Sequence, residues 1–202
     1  MTDEQLLGAW ADGDQAAGAT LLRRHFDALR RFFRTKAPGA QQDLIQSTML
    51  ECVRSREHFR GDAPFRAFLF GVARHCLLHH FRSQSRDRLD FDASQSSIAD
   101  LDPRPSTLVV RRQEHHQLLE AMRRIPLQLQ VVLELHYWED LGTRDLAAAL
   151  EIPQGTVKSR LRRARAVLRE QLAAIAAGDP IPAGEAELGT RVQQLRAVVD
   201  EG

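Results

Sequence analysis

The chain is short of cysteine: its 202 residues include only Cys52 and Cys76. Both thiols sit in apolar helical patterns, which fits burial in a reducing compartment and excludes a disulfide framework. No apolar run reaches the roughly 20 residues that a membrane-spanning helix needs. The opening Met1-Thr2-Asp3-Glu4 has neither the basic nor the apolar segment of a secretion signal, so the expected location is cytoplasmic, without membrane insertion. No stretch alternates convincingly at period two, so a sheet-built protein is not expected. A Gly-rich phosphate loop, a nucleophile elbow and a convincing acid pair are also missing, so neither an enzyme nor a cofactor is expected. Large net charge is absent as well: the formal value of +1 sets aside a histone-like or polybasic protein and turns attention to local asymmetry.

What remains is helix at nearly every position. The spacing predicts helices over 3–12, 14–36, 41–57 and 64–82, separated by Gly13-Asp14, Pro38-Gly39 and Arg60-Gly61-Asp62-Ala63-Pro64. A second set is predicted over 106–124, 127–139, 143–150 and 154–176, with Pro126 and Pro153 at helix starts and Thr143 as an N-cap. Residues 84–105 are rich in Ser, Asp and Arg and poor in large apolar groups, the composition of a tether. The expected fold is therefore all-α, with two small helical domains joined by a flexible linker: 1–84, a linker at 85–105, 106–177, and a C-terminal extension at 178–202. The extension begins with a Gly- and Pro-rich linker and ends in a short amphipathic helix near 185–199.

The stretch 141–161 has the plan of a helix-turn-helix. A short helix turns Leu146, Ala147 and Leu150 inward, and Ile152 plugs the turn. A second helix then carries Val157, Leu161, Ala164, Leu168 and Leu172 as one apolar stripe. Its other face is basic: 154–172 holds six cations (Lys158, Arg160, Arg162, Arg163, Arg165, Arg169) against Glu170 alone. Short polar residues, Gln154, Thr156 and Ser159, cluster at its N-terminal tip, where a recognition helix meets base edges while later cations reach phosphates. A solvated basic helix in a bundle is the plainer reading of the charge run, but it accounts for neither the short first helix, the Ile-Pro turn nor the polar tip.

Tyr137-Trp138-Glu139-Asp140-Leu141, the helix-turn-helix and Gly155-Thr156-Val157-Lys158-Ser159-Arg160-Leu161-Arg162-Arg163-Ala164-Arg165 resemble region 4 of sigma-70 family factors of the extracytoplasmic-function (ECF) group. Asp43-Leu44-Ile45-Gln46 and the run from Phe59 to Arg74 resemble region 2 of the same family. The resemblance implies a polymerase sigma factor that binds core RNA polymerase at its clamp and flap and promoter DNA at the −35 and −10 elements. It assigns −35 reading to Gln154, Thr156, Lys158, Ser159, Arg162 and Arg163. It assigns −10 reading and melting to His58, Phe59, Arg60, Arg74, His75 and Arg82, with the 58–64 loop holding a flipped base. Phe65, Phe68 and Phe70 are expected in the core. Where the family usually has Gly in the recognition turn this chain has Glu151, which is expected either to strain the turn or to alter its approach to DNA. Where it often has Asn, this chain has His75.

Polymerase docking is assigned by resemblance to Asp43, Gln46, Ser47 and Leu50 on the 41–57 helix, with Ile45, Met49, Cys52 and Val53 as its buried stripe. The family's docking face is strongly acidic; here Gln41, Gln42 and Ser47 leave only Asp43. Phosphorylation of Ser47 or Thr48 by a Ser/Thr kinase would restore negative charge, as in a subgroup that lacks these acids. Unaided hydrogen bonding to the clamp by Gln and Ser is the equal alternative, and an anti-sigma factor is a further possible partner. Two other functions share some of these features: a helix-turn-helix regulator that is not a polymerase subunit, which predicts an α/β sensor domain upstream, and an adaptor that does not read DNA. His75, His79 and His80 with Cys76 and Cys52 do not make four convergent ligands, so no metal is expected.

Overall fold

In a computed structural model the described residues are 1–56, 59, 61, 63–84, 91–102, 113–176 and 184–201. They contain no β-strand. The first body is built from α1 (Asp3–Ala11), α2 (Gln15–Arg24), α3 (Phe26–Arg34), α4 (Gln41–Ser55) and α5 (Phe65–Gln84), with a 3-10 turn at Pro38–Ala40. Helix α1 starts where Thr2 and Gln5 cap each other reciprocally. Helix α2 starts at Asp14, whose carboxylate accepts from the Ala16 and Ala17 amides. The helix expected over 14–36 is two, because His25 leaves helical geometry at φ −99°, ψ 5°. Neither Gly nor Pro marks that break. The buried His25 instead approaches Asp3 through Nε2 at 2.7 Å. Leu29, Phe32 and Phe33 of α3 and Phe70 of α5 form the centre of this body, with the Phe32 and Phe70 rings 5.5 Å apart.

The second body comprises α7 (Gln113–Arg124), α8 (Leu127–Tyr137), α9 (Thr143–Leu150) and α10 (Gln154–Ala176). All five stripe residues of α10, from Val157 to Leu172, are buried, as their spacing predicts. The N-cap of α9 is Gly142 rather than Thr143. Thr143 lies one residue inside, and its hydroxyl accepts a hydrogen bond from Gln154 at 2.7 Å. Residues 106–112 of the expected first helix lie outside the described ones.

Part of the expected tether is fastened down. A four-residue helix, α6 (Ile98–Leu101), is started by a Ser97–Asp100 capping box. Ile98 is fully buried, and the Leu127 and Gln128 amides donate to Ser96 and Ala93 carbonyls. Ile98, with Phe91 (its ring 5.9 Å from that of Phe81), Ala93 and Leu101 packed beside it, and a few turn bonds fasten residues 91–102, features that a compositional reading does not resolve. The extension helix, α11 (Glu185–Glu201), packs on α7 and α8 and also on α3.

The two bodies pack against each other, α9 lying on α5. Gly71 makes this approach possible, since a Cβ there would meet the Ala149 carbonyl oxygen at 3.1 Å. The same boundary buries charge. Lys36, just beyond α3, pairs with Glu134 of α8, both essentially without solvent exposure. Lys36 also donates to the Phe32 carbonyl and Thr35 hydroxyl, and Gln130 donates to Glu134. Arg31 of α3 forks onto Glu139 of the second body at 2.7 and 3.0 Å, and Arg66 of α5 reaches Glu139 at 3.2 Å. Burial pushes the Lys36 ammonium down and the Glu134 carboxyl up, each opposed by the charge of the other.

Candidate nucleic-acid interface

The basic face of α10 is built by its packing. Once Val157, Leu161, Ala164 and Leu168 fill the core, Lys158, Ser159, Arg162 and Arg163 must point to solvent, and all four are exposed. Gln154 is exposed at the tip and Thr156 half-buried beside it. Not every cation on this helix is available. Arg165 is held by the Tyr137 hydroxyl at 2.9 Å and by Glu185 of α11. The turn before α10 carries the departure seen in the sequence: Glu151 adopts φ 55°, ψ 44°, the left-handed conformation that glycine tolerates best.

On the first body, Phe59 is half-buried, its ring 5.1 Å from Phe68 and 6.4 Å from Phe65. Phe65 and Phe70 are core residues as expected, and Phe68 is half-buried against them. A cleft of about 640 Å³ opens beside Phe59, walled by Trp10, Arg56, Gly61, Pro64 and Phe65. Gly61 takes φ 76° at its rim. His58 and Arg60 lie outside the described residues. On α5, Arg82 and His75 are exposed and Arg74 is half-buried. His75 contacts Glu151 of the recognition turn at 3.3 Å. Burial lowers the Arg74 pKa, and Arg160 of α10 repels it further, Glu151 acting in the opposite sense. The structure therefore brings together α5 and helix-turn-helix residues that the sequence assigned to separate DNA elements.

Along α4, Asp43, Gln46, Ser47 and Leu50 are exposed. The buried stripe is Leu44, Ile45, Thr48 and Cys52. Val53, expected within it, is 41% exposed and extends the apolar patch of Leu50. The four-residue spacing of Leu44, Thr48 and Cys52 rotates position 53 outward. The Thr48 hydroxyl is buried and donates to the Leu44 carbonyl, whereas Ser47 lines an open groove with Arg54 and His79. Burial pushes the Cys52 thiol up to about 12, leaving it protonated and unreactive. Among the described residues no group of three His, Cys, Asp or Glu side chains is placed to hold a metal. No described helix is long and apolar enough to cross a membrane.

Sequence reasoning missed the cross-boundary network of Arg31, Lys36, Arg66, Glu134 and Glu139. A signal was present: Glu134 interrupts the apolar run from Val131 to Leu135, and a carboxylate in such a run needs a buried partner.

Comparison with known proteins agrees with this arrangement. The family profile for Sigma-70 region 2 matches residues 20–87, and that for Sigma-70, region 4 matches residues 115–168. The RNA polymerase sigma factor HrpL of Pseudomonas syringae pv. syringae is 30% identical over 149 residues, 71% of this chain and 80% of that protein. The ECF RNA polymerase sigma-E factor of Escherichia coli K12 is 25% identical over 174 residues, 82% of this chain and 91% of its own length. Among solved structures, CnrH in complex with the cytosolic domain of CnrY shares the fold, with TM-score 0.59 and 22% identity, covering 88% of this chain and 99% of that one. The chain belongs to the sigma-70 family, within its ECF group. It is an RNA polymerase sigma factor that directs transcription initiation, a role exercised with core polymerase and promoter DNA.

Proposed function

We propose that the two bodies divide promoter reading between them. The recognition helix α10 enters the major groove at the −35 element, with Gln154, Thr156, Lys158 and Ser159 near base edges and Arg162 and Arg163 reaching guanine or phosphate. The α5 side reads the −10 element through Arg74, His75 and Arg82. The Phe59 cleft accepts an unstacked base, with His58 and Arg60, the sequence neighbours of Phe59, assigned to the same task. The clamp of core polymerase docks on Asp43, Gln46, Ser47 and Leu50, and the flap on the second body.

The observation that carries this reading is the set of solvent-facing cations on α10, fixed outward by a fully buried opposite stripe. Electrophoretic binding of the holoenzyme to promoter duplexes tests it. Arg162→Ala or Arg163→Ala is expected to weaken binding by about 1–3 kcal/mol if the side chain is bidentate to guanine. Binding unchanged in both variants overturns the assignment.

Control by phosphorylation is part of the proposal and centres on Ser47, because the Thr48 hydroxyl is enclosed. A phosphate at Ser47 would add nearly two negative charges to a docking face whose nearest acids are Asp43 and Glu51. Ser47→Glu is expected to raise retention on immobilised core polymerase relative to the unmodified chain; equal retention argues against a charge switch. An anti-sigma factor is a second means of control, supported by the solved complex of the similar CnrH with the cytosolic domain of CnrY.

A further inference from the structure

Helix α11 belongs to neither promoter-reading body, yet it is bonded to both. Leu188, Val192, Leu195 and Val199 recur at steps of four, three and four residues and are buried to 1% exposure or less. That is a single helical stripe, entirely covered. On the second body, the Trp138 indole N–H donates to the Val192 carbonyl at 2.6 Å, and Gly189 lies so close to the Tyr137 ring that a Cβ would overlap it at 2.7 Å. On the first body, three arginines of α3 hold the end of α11. Arg31 pairs with Asp200 at 2.5 Å, Arg34 donates to the Val199 carbonyl at 2.9 Å, and Arg30 reaches the Asp200 carbonyl. The same Arg31 grips Glu139 of the second body. One side chain thus ties α3, the second body and α11 together.

While these bonds hold, α9 covers part of α5. His75 is engaged by Glu151, and Arg74 is half-buried. In that position His75, though exposed, is paired with Glu151 rather than free for DNA, Arg74 is only partly open, and the two bodies are held side by side instead of apart along a duplex. We infer that the surface shared by α3, α7 and α8 is a helix-binding seat, occupied in cis by α11, which latches the factor shut until core polymerase draws the two bodies apart.

The test uses the full chain with Val192→Asp, which places a charge in the seat, and Asp200→Lys, which reverses the pairing with Arg31. The Asp200 side chain is 41% exposed, so the second substitution leaves the body cores untouched and decides the matter if the first unfolds a body, as circular dichroism would show. Small-angle X-ray scattering of the unaltered chain is expected to give a radius of gyration near about 17 Å, that of a compact chain of this length. Both variants are expected to expand, and Val192→Leu to stay compact. Affinity for core polymerase is expected to tighten about tenfold if the open form is roughly a tenth of the free population.

Compact variants with unchanged affinity overturn the inference. So does weakened affinity, which would make α11 part of the polymerase contact. The scattering arm does not depend on polymerase binding, so failure of the latch and failure of the docking assignment are separable.

Discussion

Glu151 and His25 are two residues whose surroundings set a measurable cost. Glu151 holds a left-handed backbone at φ 55°, which costs a side-chain-bearing residue about 1–2 kcal/mol. Its carboxylate returns little of this, because the contact to His75 is between exposed groups. Glu151→Gly is therefore expected to raise the melting temperature by about 2–4 °C, measured by calorimetry, for about 1 kcal/mol gained in a chain of this size. His25 is buried, and desolvation lowers its pKa below the ordinary 6.5 even though Asp3 pulls the other way. The unfolded chain thus takes up a proton more readily than the folded one as the pH falls below 6.5. Stability is expected to be full above that pH and to decline below it until the folded-state pKa is passed. Urea titrations at stepped pH would register the slope, and His25→Gln is expected to flatten it.

At the level of elements, helix α10 was legible because two periodicities coincide, an apolar stripe at helical spacing and a cationic face opposite it. Packing alone then fixes which residues face outward. The same reasoning failed over 14–36, since the break at His25 depends on a hydrogen bond to Asp3 from another helix, which no local pattern reveals. It placed Thr143 at a cap one residue late, within the usual uncertainty of helix ends. Helix α4 shows a finer failure: Val53 and Cys52 are adjacent and both apolar, and the stripe set by Leu44, Thr48 and Cys52 covers only Cys52. For α10 itself, Lys158→Ala is expected to lower DNA binding evenly across sequences and to reduce the salt slope by about 1 if its contact is a phosphate. Titrations from low to moderate salt would distinguish this from loss of base reading.

At the scale of the molecule, the division into two bodies was legible, and their contact was not. Composition shows where a chain is poor in apolar residues, but it does not show that Ile98 is buried or that Arg31 finds Glu139 more than a hundred residues away. Lys36→Met alone is expected to destabilise the closed molecule by about 3–5 kcal/mol, because Glu134 would be left buried without a counter-charge. Lys36→Met with Glu134→Leu is expected to restore or exceed the original stability in denaturant unfolding, as apolar replacements of buried pairs often do. The doubly substituted factor is also expected to bind core polymerase more weakly, since its bodies would separate less readily.

The composition of that boundary has a further consequence. Lys36, Glu134, Arg31 and Glu139 are all groups that water solvates strongly once they are uncovered. Parting them therefore uncovers ionic surface along with the apolar contact, and the extended factor should stay dispersed while it searches for its polymerase, where an oily seam of equal size would make it clump.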